Sequence, residues 1–151
     1  SLLARYTHSP LSPDDILSVD ISTNGQSAGL SSQPGRYHYL KDHLNSVTDI
    51  TDENGNVIQR FHYSAFGKIE KITSGDGVTD FAMESAPVRT SFTYTGRELD
   101  SESGLYYYRA RYYDASVGRF LQVDPDAGVI EMPETVVNRY IYVSNLPSVQ
   151  I

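Results

Sequence analysis

The sequence predicts an all-β fold with little helix, and three observations support this prediction. Short runs that alternate apolar and polar residues recur along the chain, separated by turns rich in glycine, proline, asparagine and aspartate. No window keeps the apolar spacing of an amphipathic helix, and the best local candidate, residues 42–50, is short and ends in β-branched residues. Of the twelve tyrosines, five lie within residues 106–113, and aromatic side chains pack well on a pleated sheet.

The first half of the chain predicts consecutive strands joined by turns. Residues 1–8 alternate weakly, residues 9–15 contain two prolines and predict a loop, and residues 16–21 alternate clearly and predict a strand. Residues 23–35 are rich in serine, glycine, asparagine and glutamine and predict an exposed hairpin loop. Further strands are predicted at residues 37–40, 47–51, 56–64 and 68–73, with a hairpin turn at residues 52–55 and another turn at Gly67.

The second half of the chain centres on a tyrosine-rich stretch. Residues 105–113 predict one long strand, which follows a loop at residues 74–87 and a strand at residues 91–95. With a period of two, one face of the long strand carries Tyr106, Tyr108, Ala110 and Tyr112, and the other carries Leu105, Tyr107, Arg109, Arg111 and Tyr113. The pattern ends with a turn at 114–118, a strand at 119–123 stopped by Pro125, an acidic loop at 126–135, and a strand or short helix at 136–143.

The composition argues against several classes of function. A length of 151 residues suits one domain with a sizeable core, and the formal net charge of −7 disfavours nucleic acid as a partner because phosphate binding needs a basic face. No apolar run approaches the ~20 residues of a membrane span, and no signal peptide is visible. The absence of cysteine excludes disulfides and thiolate metal sites, and no residue pattern calls for a cofactor.

An imperfect internal repeat links two parts of the chain. Residues 55–67 run from a glycine turn through an arginine beside aromatic residues to a second glycine, and residues 104–119 repeat this order. Repeats of this size predict stacked hairpins that bury aromatic faces against their neighbours. Three arginines of the second copy (Arg109, Arg111 and Arg119) are expected to stack on tyrosine rings rather than to bind an anion. Their expected acidic partners are Asp100, Glu102 or Asp114.

Four passages resemble the RHS repeat-associated core of bacterial RHS/YD-repeat proteins. This family includes toxin-encapsulating subunits and polymorphic toxins, and teneurins are its distant animal relatives. The passages are residues 39–47, 52–67, 94–125 and 140–147, and the third matches the family signature almost residue for residue. Its signature positions are Gly104, Tyr107, Arg109, Arg111, Tyr113, Asp114, Gly118 and Arg119. The resemblance divides the chain into an upstream repeat-like hairpin with its loop, residues 1–36, and the core, residues 37–151.

This resemblance implies a fold and a function. Such repeats form stacked antiparallel hairpins in a long sheet that spirals into a hollow shell, and the core closes one end of the shell. The implied function is structural, and the implied partners are the remainder of the shell and an enclosed C-terminal toxin or effector polypeptide. The implied setting is a bacterial protein that is secreted or associated with the cell surface or envelope. As an isolated piece, the chain is expected to self-associate through open sheet edges.

The resemblance also suggests an enzymatic alternative, an aspartic autoprotease that releases the cargo. Such a site needs two carboxylates close enough to share a proton. The family pattern assigns one of them to Asp124, and Asp126 or Asp114 are candidates for the second. The family's second motif, Asp-Pro-x-Gly, is absent from this chain, and the sequence from Asp124 to Gly128 departs from the first motif. Both departures weaken the hypothesis of self-cleavage.

Two other hypotheses come from the aromatic and histidine residues. Exposed tyrosines stack on sugars, so a cell-surface adhesion or carbohydrate-binding module is an alternative. Tyrosines buried between strands favour the shell, whereas tyrosines that line an open groove favour the carbohydrate-binding module. His38 and His43 flank Asp42, but two histidines five residues apart on a strand and turn point to different faces, so no metal site is expected.

Overall fold

The computed structural model describes residues 2–123, 140 and 142, and these residues form two antiparallel β-sheets. The first sheet contains seven strands in sequence order: β1 (Ala4–Ser9), β2 (Ser12–Ile21), β3 (Gly35–Lys41), β4 (Val47–Thr51), β5 (Val57–Tyr63), β6 (Ile69–Thr73) and β7 (Asp80–Phe81). The second sheet has the order β11-β10-β9-β8 and contains β8 (Glu98–Asp100), β9 (Leu105–Tyr108), β10 (Arg111–Asp114) and β11 (Arg119–Phe120). The helical elements of the described residues are α1 (Thr23–Ser27) and two 3-10 helices (Met83–Ser85 and Tyr94–Gly96). The predicted all-β class with little helix is confirmed.

One face of the first sheet forms the larger hydrophobic core. Three cross-strand rows contribute to it: Tyr6, Val19 and Tyr37; Tyr39, Ile50 and Gln59; and Phe61, Ile72 and Phe81. The segment at residues 86–92 covers this face, and Val88 in it is completely buried. The amide of Val88 donates to Oε1 of Gln59 at 3.0 Å, so a polar side chain in the core holds the covering segment.

The opposite face of the first sheet is polar and carries ion pairs between neighbouring strands. Asp20 on β2 accepts hydrogen bonds from Arg5 on β1 at 3.2 Å and from Arg36 on β3 at 2.6 Å. Asp49 on β4 and Arg60 on β5 pair at 2.6 Å. These pairs are partly exposed, so screening by solvent keeps their contribution to stability small. The alternation of apolar and charged residues along each strand therefore determines which face meets the core.

The tyrosine-rich stretch is a hairpin, so the prediction of one long strand at residues 105–113 is wrong. A two-residue turn at Arg109 and Ala110 reverses the chain, and Tyr108 pairs with Arg111 across it. Arg109 has a φ of 57°, a left-handed conformation that few non-glycine residues adopt. Tight hairpin turns usually contain glycine or asparagine at such a position, and this one contains neither.

The hairpin also changes which tyrosines share a face. Tyr106 lies beside Tyr113, and these side chains are 1% and 0% exposed. Tyr107 lies beside Tyr112, and they are 45% and 42% exposed. A continuous strand would place Tyr106 and Tyr112 on one face. The two-residue turn shifts the alternation and brings Tyr113 to that face instead.

Three predicted loops contain short secondary structure. Strand β2 already begins within residues 9–15. Residues 23–35 contain α1, whose N-terminus is capped by Ser22, because its Oγ accepts from the amide of Gly25 at 3.1 Å. Residues 74–87 contain β7 and a 3-10 helix. Helix α1, strand β7 and the 3-10 helix have five residues or fewer and are too short to show a periodic pattern, so the local sequence does not reveal them.

The predicted strand at residues 91–95 is also wrong. Phe92 forms a single β-bridge with Glu98, and the chain then turns into the 3-10 helix Tyr94–Gly96. Within this helix Thr95 has a φ of 49°. A β-branched residue rarely adopts such a conformation, so contacts with the rest of the fold must hold it there.

Several local predictions are confirmed. The strand at 47–51 coincides with β4, and turns occur at Gly55 and Gly67, which have φ values of 83° and 86°. The weak helix candidate at residues 42–50 is instead a turn followed by β4. Oδ1 of Asp42 accepts from the backbone amides two and four residues later, at 2.9 and 2.8 Å, and these bonds close the turn.

The sequence predicted a boundary after residue 36, between an upstream hairpin and the core. This position falls inside β3, and the first sheet is continuous across it. The predicted loop at 126–135 lies outside the described residues, as does the predicted element at 136–143 apart from residues 140 and 142. Within the described part of the chain, no helix is long and apolar enough to cross a membrane.

Candidate functional site

Three tyrosine hydroxyls from the second half of the chain bind one turn of the first sheet. This turn, residues 64–67, joins β5 to β6 and presents three consecutive carbonyl groups to them. The hydroxyl-to-carbonyl distances are 2.8 Å from Tyr113 to Phe66, 2.9 Å from Tyr106 to Gly67, and 3.5 Å from Tyr94 to Ala65. We call these three tyrosines and the turn the tyrosine clasp. It is one of the places at which the second half of the chain is fastened to the first sheet.

Two glycines allow the close approach that the clasp requires. A Cβ atom on Gly67 would lie 2.2 Å from Cδ1 of Tyr94, and a Cβ on Gly118 would lie 2.8 Å from Cδ1 of Phe66. Both glycines also have positive φ values, 86° and 69°. Each one ends a copy of the internal repeat, so the two copies pack against each other through their terminal turns.

The rings behind these hydroxyls form a second hydrophobic core. Leu99, Tyr106, Tyr113 and Phe120 lie in one row across the four strands of the second sheet. Tyr142 packs on this row, with its ring centroid 4.3 Å from that of Tyr113. Tilted and edge-to-face contacts of this kind contribute about 0.5–1.5 kcal/mol per pair beyond the burial of apolar area.

A second group of hydroxyls connects the clasp to the strained 3-10 helix. Oγ1 of Thr95 lies 2.5 Å from the hydroxyl of Tyr108, which lies 3.1 Å from the hydroxyl of Tyr142. The amide of Thr95 donates to Oγ of Ser46 at 3.1 Å. Thr95 is therefore bonded to the second sheet and to the turn that precedes β4, and these bonds explain how its left-handed conformation is maintained.

The clasp tyrosines are neutral hydrogen-bond donors. Burial raises the pKa of Tyr106 and the pKa of Tyr108 to about 12. Burial is also the main reason why the pKa values of Tyr94 and Tyr113 are raised. A phenol with a raised pKa keeps its proton at neutral pH and goes on donating to the carbonyl groups. The clasp thus suits a structural role rather than acid–base chemistry.

The arginines of the signature occupy three different settings. Arg111 stacks on an aromatic ring, as expected, but the ring is that of Phe120, which lies 3.6 Å below the guanidinium carbon. Arg109 occupies the hairpin turn, and Arg119 begins β11 with an exposed side chain. The sequence could not distinguish these roles, because all three residues stand next to aromatic residues.

Other signature residues shape turns. Gly104 has a φ of 72° and open space around its Cα, so backbone conformation alone requires glycine there. The carboxylate of Asp114 accepts from the amide and the hydroxyl of Ser116 at 2.8 and 2.5 Å, and Asp100 accepts similarly within its own turn. These acids therefore bond locally. Tyr107 lies outside the aromatic cluster, on the exposed face.

Four contributors to the site were not singled out from the sequence. They are Tyr94, Tyr106, Tyr142 and Arg97, whose guanidinium carbon lies 5.3 Å from the centroid of the Tyr108 ring. The signal that could have identified Tyr106 is the hairpin turn, since it places Tyr106 beside Tyr113. Tyr94 and Tyr142 are distant in sequence, and only the tertiary fold brings them to the cluster.

The predicted catalytic residues Asp124 and Asp126 lie outside the described residues, so autoproteolysis through them stays a prediction. Among residues 2–123, 140 and 142, no group of three or more histidine, aspartate or glutamate side chains is arranged to hold a metal ion.

The geometry agrees with comparisons to known proteins. The model of the teneurin YD-shell family matches residues 24–147. This chain belongs to the teneurin YD-shell family. A tRNA3(Ser)-specific nuclease WapA of Bacillus spizizenii is 30% identical over 128 residues, which are 85% of this chain and 5% of that protein. Toxin subunit YenC1 of Yersinia entomophaga is 32% identical over 108 residues, which are 71% of this chain and 10% of that protein.

Solved structures share the YD-shell fold. A crystal structure of a TcdB2-TccC3-Cdc42 complex superposes with a TM-score of 0.60 at 28% identity, covering 76% of this chain and 5% of that one. The Tc holotoxin pore of Photorhabdus luminescens, with a TccC3 variant, superposes with a TM-score of 0.66 at 19% identity, covering 98% and 7%. The family resemblance predicted from the sequence is confirmed. The chain spans about one twentieth of the length of the WapA relative.

Proposed function

We propose that this chain is a structural segment of a YD-shell and helps to close a shell around a C-terminal toxin or effector polypeptide. Its partners are then the remainder of the shell and that cargo, in a bacterial protein that is secreted or held at the cell surface. Relatives such as toxin subunit YenC1 and the double-stranded DNA deaminase toxin A of Burkholderia cenocepacia, 36% identical over 89 residues, support this proposal.

The tyrosine clasp is the observation that carries the proposal. A wall that confines a polypeptide has to resist opening, and the clasp joins the second half of the chain to the first sheet through three hydroxyl-to-carbonyl bonds, one buried and two partly buried. Removing the hydroxyl of Tyr106 leaves the buried carbonyl of Gly67 unpaired, which costs about 1–3 kcal/mol. The clasp therefore favours a closed arrangement of the two sheets and needs no chemical reaction to do so.

Burial of the tyrosines favours the shell over a carbohydrate-binding module. A sugar-binding site presents aromatic faces in an open groove, whereas Tyr94, Tyr106, Tyr113 and Tyr142 are each at most 3% exposed. Their hydroxyls hold backbone and side-chain groups of the same chain. These rings are unavailable for stacking on a ligand.

The test measures protection of the cargo in the complete gene product, with an epitope tag at its C-terminus. We expect added protease to leave the tag intact in the native protein and to remove it after denaturation. The double variant Tyr106→Phe/Tyr113→Phe should lose the tag sooner, because it lacks two of the clasp bonds. The matched control, Tyr107→Phe/Tyr112→Phe, removes two exposed hydroxyls from the same strands. Equal rates of tag loss in native and denatured wild-type protein would refute encapsulation.

A further inference from the structure

A pair of exposed tyrosines lies on the outer face of the hairpin whose inner face supplies the clasp. Tyr107 on β9 and Tyr112 on β10 are cross-strand neighbours, with ring centroids 5.6 Å apart and ring planes inclined by 52°. We call them the outer pair. We propose that the outer pair is a site of oxidative cross-linking, at which a peroxidase-type oxidant joins the two rings as an intramolecular dityrosine.

The backbone explains why these rings are close. The amide of Tyr112 donates to Oε1 of Gln122 at 2.6 Å, and its carbonyl accepts from the amide of Leu121 at 2.8 Å. Both backbone groups of Tyr112 are thus directed away from β9. Tyr107 and Tyr112 therefore form a non-hydrogen-bonded pair. In such a pair the Cα atoms approach to about 4.5 Å, and the side chains lie closer together than in the hydrogen-bonded pairs of the same ladder.

Access distinguishes the outer pair from the buried tyrosines. Tyr113 and Tyr142 have closer ring centroids, at 4.3 Å, but these residues are only 0% and 3% exposed, so a dissolved oxidant does not reach them. Tyr6 is 38% exposed, but the ring beside it belongs to Phe92, which has no phenol to oxidise. The outer pair combines an adjacent phenol with exposure of both rings.

The coupling balances with hydrogen peroxide as the oxidant, acting through a haem peroxidase. Each phenol loses one hydrogen atom, which gives a phenoxyl radical on each ring. The two radicals combine through their ortho carbons to form one carbon–carbon bond, and the ortho hydrogens move to the oxygens and restore both phenols. The peroxide takes up the two hydrogen atoms lost and is reduced to two molecules of water.

The cross-link would brace the strands that hold the clasp in place. Strands β9 and β10 carry Tyr106 and Tyr113 on their inner face, and they are joined by a turn in which Arg109 has a left-handed φ of 57°. A covalent bond across their outer face would keep the two strands paired when this turn fluctuates. Oxidation of the outer pair would thereby stabilise the positions of the Tyr106 and Tyr113 hydroxyls on the inner face.

The test treats the purified chain, at low concentration, with a haem peroxidase and stoichiometric hydrogen peroxide. The monomer fraction, isolated under denaturing conditions, should show dityrosine fluorescence and a mass lower by two hydrogen atoms. Trypsin cuts after Arg97, Arg109, Arg111 and Arg119, so Tyr107 and Tyr112 fall on separate peptides, residues 98–109 and 112–119. We expect these two peptides to be recovered as one cross-linked species.

Single variants identify the coupled rings. Tyr107→Phe and Tyr112→Phe should each abolish the cross-linked species, whereas Tyr6→Phe, another change at an exposed tyrosine, should leave its yield unchanged. Circular dichroism verifies that each variant is folded. A cross-link between these peptides that persists in either outer-pair variant would overturn the proposal. So would a wild-type product that contains only dimers of the chain and no cross-linked monomer.

Discussion

Replacing Gly67 by alanine tests the packing at the centre of the tyrosine clasp. Gly67 has a φ of 86°, and this conformation disfavours an L side chain by about 1–2 kcal/mol. The new methyl group would also lie 2.2 Å from Cδ1 and 2.3 Å from Cγ of Tyr94. Non-bonded carbon atoms normally stay about 3.5–4.0 Å apart, so the ring has to move by more than an ångström or the turn has to shift.

The ring of Tyr94 has little space into which to move. Its centroid lies 5.9 Å from that of Tyr63 and 6.0 Å from that of Tyr106, and its hydroxyl donates into the same turn. Overpacking of a filled core costs about 1–3 kcal/mol. Adding the backbone cost gives an expected loss of about 2–5 kcal/mol in the free energy of unfolding.

The control is Gly55→Ala in the hairpin turn between β4 and β5. Gly55 has nearly the same φ, 83°, but a Cβ there meets nothing within 4 Å. It should lose only the backbone cost of about 1–2 kcal/mol. Urea unfolding followed by circular dichroism measures both variants, and equal m-values allow the comparison. Equal losses of stability in the two variants would refute the argument that Gly67 is required for packing on Tyr94.

Three further predictions concern ionisation, self-cleavage and assembly. The pKa of Tyr106 rises from 10 to about 12 on folding. The protonated phenol therefore makes its full contribution to the free energy of unfolding below pH 10, and this contribution is lost as the pH rises towards 12. This loss is about 3 kcal/mol in the free energy of unfolding, and that free energy should fall less steeply with pH in Tyr106→Phe than in the wild type. If the complete protein cuts itself through Asp124, Asp124→Asn should leave it uncut. Identical C-termini in wild type and variant would exclude that mechanism. The isolated chain should self-associate through the open edge of β1, and a monodisperse monomer in light scattering would contradict this expectation.

The local sequence predicted most strands and the family, but it predicted one strand where the structure has the tyrosine hairpin. Glycine turns such as those at Gly55 and Gly67 carry their own signal, because positive φ favours glycine. The turn at Arg109 carries no such signal, since neither of its two residues is glycine or asparagine although Arg109 has a positive φ. A two-residue turn moves every later side chain to the other face. Because this turn was not predicted, Tyr112 was assigned to the face of Tyr106, where the structure has Tyr113.

The amino-acid sequence alone predicts the all-β class, most strand positions and membership of a YD-repeat family, because alternation and turn chemistry are local properties of the chain. The buried tyrosines and the groups that their hydroxyls bind follow from the tertiary structure instead. The three carbonyl groups of the clasp lie 29 to 47 residues before the tyrosines that bind them: the shortest separation is from Ala65 to Tyr94, and the longest is from Phe66 to Tyr113. A phenol can donate to any carbonyl within reach, so no side-chain pattern specifies this choice. The packing of the second sheet on the first determines it.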